Sequence, residues 1–242
     1  MHAASVPLPR GRGNRSSPGP GAPRMSDAAA RMLDMTPEEQ PERAGLEAVQ
    51  RAYGSWSAAY IDLFDGAGKA SQEDRDRITR WARSVTGPVL DAGCGPGHWS
   101  AHLHGLGVEV EGVDATPAFV EHARRAHPEV AFRQGDLRRL DLAPASLGGV
   151  LAWFSLIHTE PDEVRGALAS FAAALRPGGS LLIGFFSGAA LAPFEHRVVT
   201  AWAWPPDDLA HAVEDAGLEV VDRDEQVQPS GRVFASMRAR RR

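Results

Sequence analysis

Three carboxylates and a run of alternate glycines stand in order along one stretch of this chain. Asp91, Gly93, Gly95 and Gly97 lie in "VLDAGCGPG" (residues 89–97), Asp114 in "EGVDATP" and Asp136 in "RQGDLRRL". Glycines at alternate positions let the backbone turn sharply and let a ligand come close, because no Cβ intervenes. An acid just ahead of such a turn repels a pyrophosphate but satisfies an ammonium. Asp114 is the residue type that accepts both hydroxyls of a ribose, and Asp136 suits an adenine amino group, with Leu137 against the ring. The set fits a cationic nucleoside that carries an amino acid. Each acid also has a plainer reading, Asp114 as the cap of a following helix and Asp136 as a turn residue.

These residues matter only if strands and helices bring them together. After Gly87-Pro88 the pattern alternates: strand "PVLDA", helix from His98 to about Leu106, strand "VEVEGV", helix from Pro117 to about Ala126, and strand "VAFRQ". It continues through strand "GGVLAWFS", helix 161–175 and strand "SLLIGFF". Strands separated by helices of this length imply right-handed crossovers and a doubly wound α/β sheet, mostly parallel and covered on both faces. In such a sheet, ligands sit beyond the carboxyl ends of the strands at the topological switch point, where the first strand and its glycine turn lie. Two ligands commonly use that place, a dinucleotide or S-adenosylmethionine. A dinucleotide asks for G-x-G-x-x-G, whereas Gly95-Pro96-Gly97 brings the third glycine one position early. A nicotinamide-dependent oxidoreductase is therefore the runner-up.

Two helices precede the glycine turn. One, from about 43 to 65, is interrupted near Gly54 and carries Tyr53, Trp56, Tyr60 and Phe64 as a stripe; the other, in 72–85, follows a Ser71 cap with Asp74 three residues on. Beyond the last long strand, 187–205 reads as a loop that supplies substrate contacts from Phe194, His196, Arg197, Trp202 and Trp204, or covers the sheet edge with them. Helix "PPDDLAHAVEDAG" follows, then "LEVVDRD" and "RVFASMRA", too close together for a helical crossover and so expected to pair antiparallel.

Charge and composition limit the function classes. Arg10, Arg12, Arg15, Arg24, Arg238, Arg240, Arg241 and Arg242 sit in the two tails, while all 31 acidic residues lie between them. An acidic body offers no broad nucleic-acid footprint. No run of eighteen apolar residues marks a membrane span, and one cysteine, Cys94, makes no internal disulfide, so a cytoplasmic setting is expected. Residues 1–24 are rich in Pro, Gly, Ser and Arg and read as a disordered extension; 25–86 read as helices that cover the cofactor site, and 87–242 as the core. One lysine, Lys69, among 26 basic residues fits a GC-rich bacterial genome. His98, His102 and His104 read as surface histidines, and no metal site is expected.

The chain resembles the small-molecule branch of the class I S-adenosylmethionine-dependent methyltransferases. The likeness runs from about Tyr53 to the C-terminus on "VLDAGCGPG", "VEGVDATPAFVEHAR", "QGDLRRLDLAPASLGGVLAWFSLIH" and "LRPGGSLLIGFF". It implies a Rossmann-like seven-stranded sheet with an antiparallel last strand, and S-adenosyl-L-methionine as cofactor. The implied contacts are Asp91, Gly93, Gly95, Asp114, Asp136 and Leu137, with Gly97 and Ala115 beside them and Tyr53 and Tyr60 as covering tyrosines or core residues. Its acceptor is expected to be a small molecule methylated at O or N, with a homodimer as one allowed assembly. Methyl transfer is an in-line displacement that needs a base only when the acceptor enters protonated. His158, in the "SLIH" turn after the fourth strand, is the candidate base, or else it positions the loop. No N/D-P-P-Y/F motif for exocyclic base amines follows that strand. No lysine-centred ribose methylation site and no D…D-N magnesium set is present. Non-catalytic S-adenosylmethionine binding is the remaining alternative.

Overall fold

The computed structural model describes residues 45–64, 71–196 and 199–242. The extension at 1–24 and Arg197 lie outside the described residues, as do the side chains of Trp56, Tyr60 and Phe64.

Helix α1 (Leu46–Phe64) runs unbroken through Gly54, and α2 (Gln72–Ser84) starts where the Ser71 hydroxyl accepts from the Asp74 amide. The alternating core follows: β1 (Val89–Ala92), α3 (His98–Gly105), β2 (Val110–Asp114), α4 (Pro117–Ala126), β3 (Ala131–Gln134), a 3-10 turn (Leu137–Arg139), β4 (Leu147–Trp153), α5 (Pro161–Ala174) and β5 (Leu175–Ser187). Proline at the first position of α4 and α5 costs no intrahelical bond there and pre-sets φ for the helix. Then come β6 (Ala192–Phe194), β7 (Ala201–Trp204), α6 (Pro206–Asp215), β8 (Leu218–Val227) and β9 (Val233–Arg241).

Strands β3-β2-β1-β4-β5 pair in parallel in that order. On the far side of β5, β9 runs antiparallel from Ser180↔Arg240 to Ser187↔Val233, and β8 pairs antiparallel outside it. This is the expected seven-stranded, mostly parallel doubly wound sheet. The chain winds outward from β1 to β3 and then returns to β4, so the switch point lies between the ends of β1 and β4.

The span read as the loop 187–205 instead carries two further strands. β5 pairs with β4 only as far as Gly184; past that end, β7 takes over the vacated edge at Phe186↔Ala203 and Ser187↔Trp204, and β6 folds back on β7. The Trp202 amide donates to the Ile157 carbonyl at 2.8 Å, which ties this hairpin to the loop after β4.

Apolar side chains fill both faces of the sheet. Val164, Leu168, Phe171, Leu209 and Val213 of α5 and α6 cover one face, and Ile78, Trp81, Leu103, Val120 and Phe132 lie on the other. A third, smaller cluster of Ile157, Phe186, Ala201 and Phe234 packs Phe154 and Phe194 against itself at the carboxyl end. Trp204 is buried in the main core and Trp202 packs on it, so of the two readings of these tryptophans the structure has the sheet-covering one. No described helix is long and apolar enough to cross a membrane.

Candidate functional site

All three glycines of the β1 turn have positive φ, and at two of them a Cβ would also clash. Gly93 has φ of +82°, and a Cβ there would lie 2.2 Å from Cβ of Ser155 and 3.4 Å from Cδ1 of Leu137. The turn after β1 and the loop after β4 therefore approach at backbone distance, with Leu137 beside them. Gly97, at +93°, is different: its Cβ would meet Ala123 and Phe132 at 2.9 Å, so this glycine serves helix-on-strand packing at the start of α3.

The first two acids brace the turn and stay charged only at a cost. Asp91 is 2 % exposed, and Ser100 of the first turn of α3 donates to its Oδ2 at 2.6 Å. Burial pushes its carboxyl up to about 7, against the Ser100 hydrogen bond and with help from Asp114. Asp114, ending β2, accepts from the Gly95 amide at 3.0 Å and the Thr116 amide at 2.7 Å. Burial raises its pKa too, with those amides opposing. Its structural role at the start of α4 is thus present in full, and the same oxygens rim the turn. Ala115, next in the chain, has its carbonyl held by Gln50 of α1 at 2.8 Å and Gln134 at 3.2 Å.

Asp136 is satisfied from within its own turn. Arg138 donates Nε and Nη2 to its two oxygens at 2.8–3.1 Å, the Arg138 amide adds a bond at 3.0 Å, and Nη1 reaches Glu163. Burial alone would raise this carboxyl, but the guanidinium holds it below its usual range. The turn role of Asp136 is thus present, and Arg138 shares the carboxylate assigned to an adenine.

His158 is 8 % exposed in the loop after β4. Its Nδ1 lies 2.8 Å from the Thr200 carbonyl, which only accepts, so Nδ1 carries the proton and Nε2 is the acceptor for the Tyr53 hydroxyl at 3.0 Å. Burial lowers its pKa to about 4, against the Thr200 carbonyl, so the imidazole is neutral at pH 7. Sequence reasoning named both Tyr53 and His158 without joining them across 105 positions. It also missed Gln50, Ser155 and Thr200, because each acts through tertiary placement.

Two of the three histidines of α3 differ from their surface reading. His98 is 8 % exposed, His102 pairs through Nε2 with Thr79 Oγ1 at 2.8 Å, and His104 is exposed. Cys94 is free and buried, and burial raises its pKa. Among the described residues no three His, Cys, Asp or Glu side chains gather as metal ligands.

A methyltransferase-domain family matches residues 89–179. An S-adenosyl-L-methionine-dependent Diels–Alderase of Talaromyces variabilis is 32 % identical over 170 residues, covering 63 % of this chain and 56 % of that protein. A demethylmenaquinone methyltransferase of Beutenbergia cavernae is 38 % identical over 107 residues, 44 % of each chain. The chain spans about half the length of these curated relatives. The crystal structure of the Burkholderia thailandensis 1,6-didemethyltoxoflavin-N1-methyltransferase, with bound 1,6-didemethyltoxoflavin and S-adenosylhomocysteine, shares the fold at TM-score 0.68 and 24 % identity, covering 86 % of this chain and 93 % of that one. Over residues 89–179 this chain carries a methyltransferase domain, and its sheet has the fold of a solved methyltransferase that holds S-adenosylhomocysteine.

Proposed function

We propose that the protein moves a methyl group from S-adenosylmethionine to an oxygen or nitrogen of a small-molecule acceptor. One observation carries this reading: two carboxylates, the buried Asp91 and the half-buried Asp114, flank a glycine turn at the switch point, and the charge of Asp114 pushes the protonation of Asp91 upward. A cationic ligand relieves that repulsion and a pyrophosphate adds to it. Asp91 would take the ammonium, the Gly93–Gly95 backbone the amino-acid stem, and Asp114 the ribose hydroxyls beside its amide partners. Leu137 would flank the base. When bound, S-adenosylmethionine supplies an electrophilic methyl on a positively charged sulfur.

The chain's own residues then orient the acceptor, keep water out and hold its proton. Tyr53 faces the acceptor and His158 stands behind it. As the acceptor loses its proton to the Tyr53 oxygen, the phenol proton passes to Nε2 of His158, and the Thr200 carbonyl stabilises the charge on Nδ1–H. Neutral imidazole at physiological pH has the lone pair that this transfer needs.

A second reading, cofactor binding without methyl transfer, is favoured by the relative named as a Diels–Alderase. Calorimetry with S-adenosylhomocysteine and NAD, followed by a screen of metabolite extracts with methyl-labelled cofactor, separates the possibilities. Binding of S-adenosylhomocysteine with label transfer to an extract component supports methyl transfer. NAD binding without S-adenosylhomocysteine overturns it, and cofactor binding with no label transfer favours the second reading.

A further inference from the structure

The third cluster holds polar atoms that have nothing to pair with. His196, between β6 and β7, is 6 % exposed; its ring lies 5.0 Å from that of His158 and 5.7 Å from that of Phe186. Both ring nitrogens of His196 are buried without a hydrogen-bond partner, and so are Thr200 Oγ1 and Ser155 Oγ. A neutral imidazole brings one donor and one acceptor, and buried groups of this kind are almost always paired. His196 and Thr200 lie on the hairpin, each against His158, and Ser155 lies on the loop after β4 against Gly93.

The walls around them are flat and apolar. Phe186 and Phe234 are buried, while Phe154 and Phe194 are half-buried and lie over them, with ring centroids 5.0–5.5 Å apart. Phe154 has φ of +53°, a left-handed conformation that a bulky residue adopts only when its surroundings hold it there. The Arg232 guanidinium packs 4.4 Å from the Phe194 ring centroid and bears on His196 from that side, so a cation is unwelcome.

We propose that His196 recognises the acceptor, and that the acceptor is a planar, uncharged aromatic hydroxyl compound. Its face lies on Phe154 and Phe194, and its polar edge pairs with the His196 ring. The methyl-transfer reading supplies only the ligand's role as acceptor; its chemical class comes from the ring cluster.

The test measures binding of 1-naphthol and of its fully saturated counterpart, decahydro-1-naphthol, to the full chain loaded with S-adenosylhomocysteine. Wild type is compared with His196→Phe and His196→Gln. Wild type is expected to bind 1-naphthol about tenfold more tightly than the saturated alcohol, and His196→Phe to weaken 1-naphthol about tenfold. The same variant is expected to raise Tm, because an apolar ring replaces two unpaired nitrogens, and to leave S-adenosylhomocysteine affinity unchanged. A merely structural histidine would leave 1-naphthol affinity unmoved. Failure of 1-naphthol to bind, equal binding of the two alcohols, or unchanged affinity in both variants overturns the proposal while cofactor binding stands. Loss of S-adenosylhomocysteine binding in wild type would instead overturn the methyl-transfer reading.

Discussion

At the glycine-turn end of the crevice, the side-chain acceptors are tied to neighbours: Asp91 to Ser100, Asp114 to two backbone amides, Asp136 to Arg138. At the hairpin end, His196 and Thr200 bury polar atoms that pair with nothing. The first end is shaped before any ligand arrives, and on the proposed function the second is completed by one. On the methyl-transfer reading this division has a use, because a preformed cradle fixes the donor while unpaired groups discriminate among acceptors.

The largest expected effect breaks the preformed end. Gly93→Val places a Cβ 2.2 Å from Ser155 on a backbone at φ +82°, so left-handed strain adds to overlap between two loops. The sum is roughly 3 kcal/mol or more by these effects. Calorimetry should find S-adenosylhomocysteine binding reduced at least about a hundredfold, with a lower Tm. A Gly93→Val protein that binds normally would show that the close approach of the two loops is dispensable.

The next effect falls where the two ends meet. His158→Ala should lower kcat by about a hundredfold, the range for losing a positioned base, with S-adenosylhomocysteine affinity unchanged. Tyr53→Phe removes the hydroxyl but leaves the ring on Phe119 and His158, and should cost about tenfold in kcat. Equal turnover by wild type and His158→Ala on an acceptor that methylates would leave His158 with the loop-holding role alone.

The two ends also differed in what the sequence disclosed. The alternation of strands and helices, the Ser71 cap and the antiparallel β8–β9 pair were legible because each rests on local signals: apolar periodicity, a capping residue, and a connection too short for a crossover. At Asp136 the sequence offered a turn residue and an adenine contact side by side, and Arg138, equally local, shows the first of these in the fold. The β6–β7 hairpin was hidden because its strands are three and four residues long and exist only where β5 outruns β4. Likewise, nothing in the spacing of Tyr53, His158, His196 and Phe234 marks them as neighbours. The hairpin end is tertiary throughout.

Asp91→Asn sharpens the contrast between shape and charge. The wild-type carboxyl titrates at about 7 in the fold against 3.8 unfolded, so between these values the folded state binds more protons. Asp91 therefore costs stability as pH rises through that window, and the full cost is present above pH 7. Asparagine removes that cost, so Tm of the free protein at pH 8 should rise. Affinity for S-adenosylhomocysteine, whose ammonium needs the carboxylate, should fall roughly thirtyfold as a charge-assisted hydrogen bond is lost. In wild type the same affinity should climb with pH and level off above about 7. A pH-independent affinity would mean that Asp91 shapes the turn without meeting the ligand's charge.

The smallest effect tests the other end by the opposite sign. His196 has a folded pKa pushed down to about 3, chiefly by burial and then by His158 and Arg232, against 6.5 unfolded. Between these values the unfolded chain binds the extra proton, so the stability due to a neutral buried His196 is present above pH 6.5 and drains away as pH falls. Asp91, Asp74 and Asp114, whose pKa values are raised, pull the wild-type curve the other way. The difference between His196→Phe and wild type isolates the histidine, because the carboxylates are common to both. That difference should grow in favour of the variant by about 1 kcal/mol between pH 7 and pH 5.5, read from urea unfolding at each pH. A difference that stays flat with pH would place the His196 ring in contact with water, and the hairpin end would then be a solvated edge, with no unpaired polar group waiting for an acceptor.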